Sequence, residues 1–98
     1  MKIIWSLRAR KNFEELIEFL EHKWEAKVII KLFEELESNL KLISENPLLF
    51  PEISYKKQIR RCVIRKRTIL FYRINASHHS IELLLFVDSR VNPLKYKF

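Results

Sequence analysis

The chain has 98 residues, 48% of them hydrophobic and 32% charged, which is typical of a single globular domain over residues 1–98. Seven Phe, two Trp and three Tyr provide enough apolar bulk for a core and exclude an intrinsically disordered chain. A single cysteine, Cys62, excludes an intramolecular disulfide and a zinc site made of several cysteines. The chain contains no glycine, which excludes the glycine-rich loops that cradle nucleotide phosphates, and we expect neither a cofactor nor a metal.

The formal net charge of +7 is distributed unevenly along the chain. Residues 1–49 contain eight Lys and Arg against nine Glu, whereas residues 50–98 contain eleven Lys and Arg against three acidic residues. This asymmetry predicts a basic face for a polyanion, usually nucleic acid, or for an acidic protein partner. The longest apolar runs, 69–72 and 83–87, are far shorter than the roughly 20 residues that span a bilayer. We therefore expect a cytoplasmic protein with no membrane partner.

The first half of the sequence predicts a strand followed by two helices. Residues 2–7 are rich in β-forming side chains, and Ser6 is placed to cap the helix that follows. Apolar residues at helical spacing predict that this first helix extends to about His22. A second helical pattern runs from about residue 25 to 44 and is ended by Pro47. The short connection between the two helices predicts an antiparallel helical hairpin.

The second half predicts a sheet, because its hydrophobic pattern changes from helical spacing to short apolar runs. We expect a loop at 48–57 and strands at about 58–65, 68–74 and 80–87. The last two strands are nearly continuous apolar runs, which predicts that they are covered on both faces. The resulting fold is α+β with the order β-α-α-β-β-β, a helical hairpin packed on a four-stranded, mainly antiparallel sheet. We expect a core that includes Trp5, Phe13, Leu16, Leu20, Leu32, Leu36, Leu70, Tyr72, Leu84 and Phe86.

The densest charged segment is residues 56–67, in which seven of the twelve residues are basic and none is acidic. Alternation along a strand would place Arg61 and Arg65 on one face, and Arg60 and Lys66 on the other. Several cations within reach of neighbouring phosphates favour nucleic-acid binding, although the same charges would also protect a solvated edge strand from aggregation. The candidate residues for binding nucleic acid or another target are Lys56, Lys57, Arg60, Lys66, Arg67, Arg73 and Lys95.

The C-terminal segment contains a second candidate group. Arg90 comes just after the last predicted strand, and Tyr96 follows six residues later. An arginine and a tyrosine could clamp a phosphate and stack on a base. In the alternative interpretation, Asp88 and Arg90 form a local ion pair and Tyr96 covers the core. The three histidines and Cys62 lack metal-ligand spacing, which again predicts no metal site.

Several motifs occur in a fixed order along the chain. The first helix begins with Ala9-x-x-x-Phe13-EELIEFL, and the second ends in Ile43-SEN-Pro47. The three later strands carry Ile59-Arg60-Arg61, then the run ILFYRI, then IELLLFVDSR. In this order and spacing, the motifs resemble the RelE/ParE superfamily of type II toxin–antitoxin toxins over nearly the whole chain.

The resemblance implies a cytosolic bacterial or archaeal toxin that is neutralised by a small antitoxin protein. RelE-like members cleave messenger RNA in the ribosomal A site without a metal ion. ParE-like members instead inhibit DNA gyrase, and many of them are known as plasmid-stabilisation proteins. If the chain is a ribonuclease, the resemblance implies that Arg90, Tyr96, Arg61 and Arg65 are its catalytic residues.

The resemblance leaves the target open between DNA gyrase and ribosome-bound messenger RNA. Arg90 and Tyr96 match an arginine and a tyrosine of the RNA-cleaving branch in position and spacing. However, Thr68 and Ile69 stand where that branch commonly has an arginine, and the strand motifs are those of ParE-like chains. Inhibition of DNA gyrase is therefore the preferred interpretation. A ribosome-dependent endoribonuclease is the alternative, and a non-catalytic nucleic-acid-binding domain is the second alternative.

Overall fold

The computed structural model of the protein describes residues 1–88, in which two helices pack on a five-stranded mixed sheet. The strand order is β1-β5-β4-β3-β2; β1 is parallel to β5, and every other neighbouring pair is antiparallel. The predicted α+β fold, with a helical hairpin on a mainly antiparallel sheet, is confirmed. The elements in chain order are β1 (Lys2–Trp5), α1 (Leu7–His22), α2 (Ala26–Glu45), β2 (Glu52–Ser54), β3 (Ile59–Arg65), β4 (Thr68–Asn75) and β5 (Ser80–Asp88).

The prediction of four strands was wrong, because a fifth strand, β2, lies within the segment 48–57 that was expected to be a loop. β2 has only three residues and pairs with β3 through an irregular register between Glu52 and Ser54. Apolar and polar residues do not alternate clearly in β2, so the sequence carries no strand signal there. The strand forms because tertiary contacts hold it in place. The Arg60 guanidinium donates hydrogen bonds to the Phe50 and Leu48 carbonyl oxygens at 2.7 and 3.4 Å, which fixes the chain just before β2.

Ser6 caps α1 as predicted. Its side-chain oxygen accepts a hydrogen bond from the Ala9 backbone N–H at 2.9 Å. The Ser6 hydroxyl also donates to the Leu84 carbonyl oxygen at 3.0 Å. The cap therefore satisfies a free amide of the first helical turn and at the same time joins α1 to β5.

The main core lies between the two helices and one face of the sheet, and seven of the ten predicted core residues are buried. The other three, Trp5, Leu16 and Leu84, are only partly buried. For Leu84 the cause is a register shift in β5. Phe71 pairs with Leu85 and Tyr72 with Leu83, which leaves Leu84 without a partner in β4.

β4 is buried on both faces, as its continuous apolar sequence predicted. Leu70 and Tyr72 belong to the core under the helices, whereas Phe71 packs with Ile59 and Leu85 on the opposite face. The consecutive residues Leu70, Phe71 and Tyr72 are all almost inaccessible to solvent. β3 and β5 flank β4, so charged side chains at the two ends of β3 are held on a rigid support.

Candidate functional site

The basic segment does not form one cluster, because β3 lies between its two ends. Lys56 and Lys57 lie in the turn before β3, and Lys66 and Arg67 lie in the turn after it. A seven-residue strand separates the two pairs by roughly 20 Å. We name the turn with Lys66 and Arg67 the distal basic turn. A single phosphate cannot reach both pairs, so each turn has to be considered separately.

Arg61 and Arg65 lie on opposite faces of the sheet, and the predicted alternation was wrong for Arg65. Arg61 is exposed on the face that points away from the helices, the face on which Ile59 packs with Phe71 and Leu85. The ladder between β3 and β4 has an irregularity between Val63 and Arg65 that adds one residue to β3. This bulge turns Arg65 toward the helices, where its guanidinium lies 3.4 Å from the Glu35 carboxylate.

Arg60 is committed to the chain segment before and within β2. Besides its hydrogen bonds to backbone carbonyls, its guanidinium lies 3.6 Å from the Glu52 carboxylate, and its side chain is only 16% exposed. Tyr72 holds the same segment, since its hydroxyl donates to the Pro47 carbonyl oxygen at 2.7 Å. Burial raises the pKa of Tyr72 to about 12, so the hydroxyl keeps the proton that it donates. These contacts stabilise the segment from Pro47 to Glu52 and were not evident from the sequence.

Arg73 lies at the end of the sheet where β3 begins, directly opposite Ile59. Its guanidinium donates to the Glu82 carboxylate at 2.6 Å, and the Asn75 amide donates to the same carboxylate at 3.1 Å. The hydrogen bond from Arg73 is the largest cause that lowers the pKa of Glu82, followed by the bond from Asn75. Arg73 is therefore paired with a carboxylate of the neighbouring strand. This pairing weakens the attraction of its guanidinium for a polyanion.

The distal basic turn borders a groove of about 380 Å³, which is also lined by residues from the end of α1 and the start of α2. Phe19 and Lys23 of the hairpin line this groove, and its acidic residues are Glu25 and Asp88. β5 ends at this groove, since Asp88 pairs with Thr68 at the start of β4. The predicted site residues Arg90, Lys95 and Tyr96 lie outside the described residues, and their roles stay predictions.

A second groove, mainly apolar and of about 830 Å³, runs along the helical hairpin, and we name it the hairpin groove. Phe13 makes edge contacts with Trp5 and Phe33, with ring centroids 5.7 and 5.4 Å apart. Phe33 remains 48% exposed, although it lies three and seven residues before Leu36 and Leu40 and so shares their apolar face of α2. The helical spacing of these apolar residues was the signal in the sequence that could have indicated this groove. The lining residues are Trp5, Phe13, Ile17, Phe33, Leu36 and Leu40, with Arg10, Glu14, Glu21 and Glu37 at the margins.

The remaining candidate chemistry is limited in the part of the chain that the structure describes. Cys62 is buried, and burial raises the pKa of its thiol to about 12, which disfavours the thiolate that a nucleophile requires. Among residues 1–88, no three His, Cys, Asp or Glu side chains are grouped so that they could hold a metal ion. Neither helix of this region is long and apolar enough to cross a membrane.

Comparison with known proteins agrees with this architecture. A search of curated protein sequences finds no significant match. The fold is similar to that of the YoeB/ParE toxin from Agrobacterium tumefaciens, with a TM-score of 0.67 and 14% identity over 90% of this chain and 98% of that chain. Residues 3–92 match the family model described as ParE toxin of type II toxin-antitoxin system. The chain therefore belongs to the ParE toxin family, within the RelE/ParE superfamily of type II toxins.

Proposed function

We propose that this toxin acts by inhibiting DNA gyrase and that a cognate antitoxin neutralises it. The observation that carries the choice of target is the position of Arg61 and Arg65 on opposite faces of the sheet. A ribonuclease would need several cations around one phosphorane, because its charge builds up on a single phosphate. An inhibitor that docks on a protein–DNA complex has no such requirement.

The distribution of titratable groups also supports an inhibitor. Cleavage at a 2′-hydroxyl needs a general base and a general acid within hydrogen-bond reach of the reacting oxygens. His78 and His79 lie in the turn between β4 and β5, at the opposite end of the sheet from the distal basic turn. In residues 1–88, no histidine lines the groove beside Lys66 and Arg67. The described part of this groove offers positive charge for binding DNA and no imidazole for acid–base catalysis.

The ribosome-dependent endoribonuclease remains the second candidate, on the strength of Arg90 and Tyr96 in the sequence. Both residues lie outside the described part of the chain, so this candidate depends on their identity and six-residue spacing alone. In an endoribonuclease, Arg90 would supply a cation for the phosphate. A plain nucleic-acid-binding domain would use the same charges without toxicity.

The hairpin groove is our candidate site for the antitoxin. It joins apolar and aromatic side chains from β1, α1 and α2 along one continuous surface. An amphipathic helix could bury its apolar face there, in the manner of other helix-in-groove complexes. We expect a second, acidic segment of the antitoxin to contact the basic half of the sheet. This electrostatic part of the binding should weaken as salt concentration rises.

Induced expression in cells distinguishes the two candidate targets, with transcripts and gyrase–DNA breaks followed in parallel. The proteins compared are the wild type, Arg90→Ala and Tyr96→Ala. Lys31→Ala, on the exposed face of α2, is the matched control. Gyrase–DNA breaks that accumulate while transcripts stay intact would support the inhibitor. Rapid transcript cleavage that Arg90→Ala abolishes would support the endoribonuclease instead. Growth without any defect would favour the plain binding domain.

A further inference from the structure

Trp24 occupies a backbone position that is normally reserved for glycine. It follows α1 with a φ of 56°, in the left-handed region. The Trp24 N–H donates to the Glu21 carbonyl oxygen at 3.1 Å, and the Glu25 N–H donates to the Leu20 carbonyl oxygen at 3.2 Å. These two bonds form a Schellman motif, whose left-handed residue is usually glycine because a β carbon is crowded there.

Burial of the Trp24 side chain does not offset the strain in its backbone. The Trp24 side chain is 93% exposed, so it contributes almost nothing to the core. Glycine or asparagine at this position would end the helix with less strain and expose less apolar surface. A residue that opposes both the local backbone preference and the burial of apolar surface indicates a role in binding rather than in folding.

Trp24 lies between two residues that line a groove with more basic than acidic side chains. Its neighbours Lys23 and Glu25 both line the groove that contains the distal basic turn. The Lys23 ammonium lies 5.0 Å from the centroid of the Phe19 ring. Across the described residues, Lys66 and Arg67 form no ion pair, whereas Arg65 in the same groove is neutralised by Glu35. Cations therefore predominate over the carboxylates of Glu25 and Asp88 at this end of the molecule.

We propose that this end of the molecule binds an unpaired stretch of nucleic acid. One base stacks on the exposed indole of Trp24, and the flanking phosphates contact Lys23, Lys66 and Arg67. A base and an indole stack through their faces without base-specific hydrogen bonds, so the site tolerates any sequence. Phosphate contacts with lysine and arginine make the binding salt-dependent. The inference rests on the proposed function only in taking nucleic acid as a component of the toxin's target.

The two tryptophans of the chain permit a direct test by fluorescence. Trp5 packs against Phe13 and Phe86, so Trp5→Phe leaves Trp24 as the only tryptophan and keeps an aromatic ring in the cluster. The probes are short oligoadenylates of RNA and of DNA, and a duplex of the DNA strand with its complement. We expect both single strands to quench Trp24 and the duplex to quench it much less. The RNA and DNA probes distinguish which strand chemistry is preferred.

Trp24→Gly distinguishes an effect on binding from an effect on folding. Glycine adopts the left-handed conformation without strain, so the substitution should not destabilise the fold. We expect a higher Tm than in the wild type, together with about tenfold weaker binding of labelled oligoadenylate. Trp24→Phe keeps a ring for stacking and should retain most of the affinity. Ile30→Ala, which removes an exposed apolar side chain from α2, is the matched control and should bind like the wild type.

Unchanged oligonucleotide affinity in Trp24→Gly would overturn the inference, as would quenching of Trp24 by anionic lipid vesicles but not by oligonucleotides. Binding is measured on purified protein, whereas the proposed toxicity is measured in cells. Loss of oligonucleotide binding in Trp24→Gly with unchanged gyrase inhibition would leave the binding site valid and separate it from toxicity. Wild-type protein that binds oligoadenylate but causes no gyrase damage would overturn the proposed function alone.

Discussion

Arg65 in β3 and Glu35 in α2 form an ion pair, with the guanidinium nitrogen 3.4 Å from the carboxylate oxygen. The pair exists because the bulge between Val63 and Arg65 reverses the direction expected for the Arg65 side chain. Arg61, four residues earlier, stays exposed on the opposite face. The ion pair therefore joins the sheet to the helices and removes Arg65 from the surface on which Arg61 could meet a target.

Arg60 is expected to stabilise the fold more than the neighbouring Arg61. Arg60→Ala leaves the Phe50 carbonyl oxygen without its donor and the Glu52 carboxylate without its partner. We expect the free energy of unfolding to fall by about 1–3 kcal/mol, measured by urea denaturation. Arg61→Ala is the control, and its exposed side chain should change stability by about 0.5 kcal/mol or less. Equal effects of the two substitutions would contradict the role given to Arg60.

Stability should fall at alkaline pH through Cys62 and Tyr72. Burial raises the pKa of Cys62 from 9.0 to about 12 and that of Tyr72 from 10.0 to about 12. Both groups ionise at lower pH in the unfolded chain, so their contribution is complete below pH 9.0 and is lost progressively as pH rises toward 12. In the upper part of this window, each group should contribute a slope of about 1.4 kcal/mol per pH unit.

Cys62→Ala tests this pH dependence without removing a charge at neutral pH. The variant loses one of the two titrating groups, so its stability should decline less steeply than that of the wild type between pH 9 and 12. The measurement is the midpoint of urea unfolding across this alkaline range. Parallel curves for the two proteins would contradict a raised pKa for the thiol.

Phe33 should contribute to antitoxin binding more than to stability. Phe33→Ala removes a half-exposed ring from the hairpin groove, and we expect the affinity for the cognate antitoxin to fall by about 2 kcal/mol. Calorimetric titration measures the affinity, and thermal unfolding measures the stability of the free toxin. Ile30→Ala serves as control, because Ile30 is exposed on α2 and does not line the groove. Unchanged affinity in Phe33→Ala would place the antitoxin elsewhere on the toxin.

The features that local sequence determines were predictable. Helical periodicity gave the ends of both helices to within one or two residues, and Ser6 was recognised as a cap because its role depends only on the residues that follow it. The errors occurred where tertiary contacts decide. β2 depends on Arg60, and the direction of Arg65 depends on one extra residue in the ladder. The left-handed backbone of Trp24 was not predictable, because no sequence pattern indicates a positive φ at a tryptophan.

The basic residues show the same division. The charge asymmetry predicted a basic face, but a linear sequence does not show which of the cations are already paired. Arg60, Arg65 and Arg73 each lie within 4 Å of a carboxylate, whereas Lys66 and Arg67 have no such partner among the described residues. The surface available to a polyanion is therefore smaller than the sequence predicted, and it includes Lys66 and Arg67 of the distal basic turn.

Purified gyrase provides the most direct test of the proposed function. Relaxed plasmid, gyrase and ATP are incubated with increasing amounts of toxin, with and without the antitoxin, and supercoiled and linearised DNA are quantified. Messenger RNA on programmed ribosomes is followed in a parallel reaction with the same toxin preparation. We predict that supercoiling falls or cleaved DNA accumulates, that the antitoxin reverses the effect, and that the messenger RNA stays intact. Full gyrase activity together with toxin-dependent cleavage of the messenger RNA would contradict it.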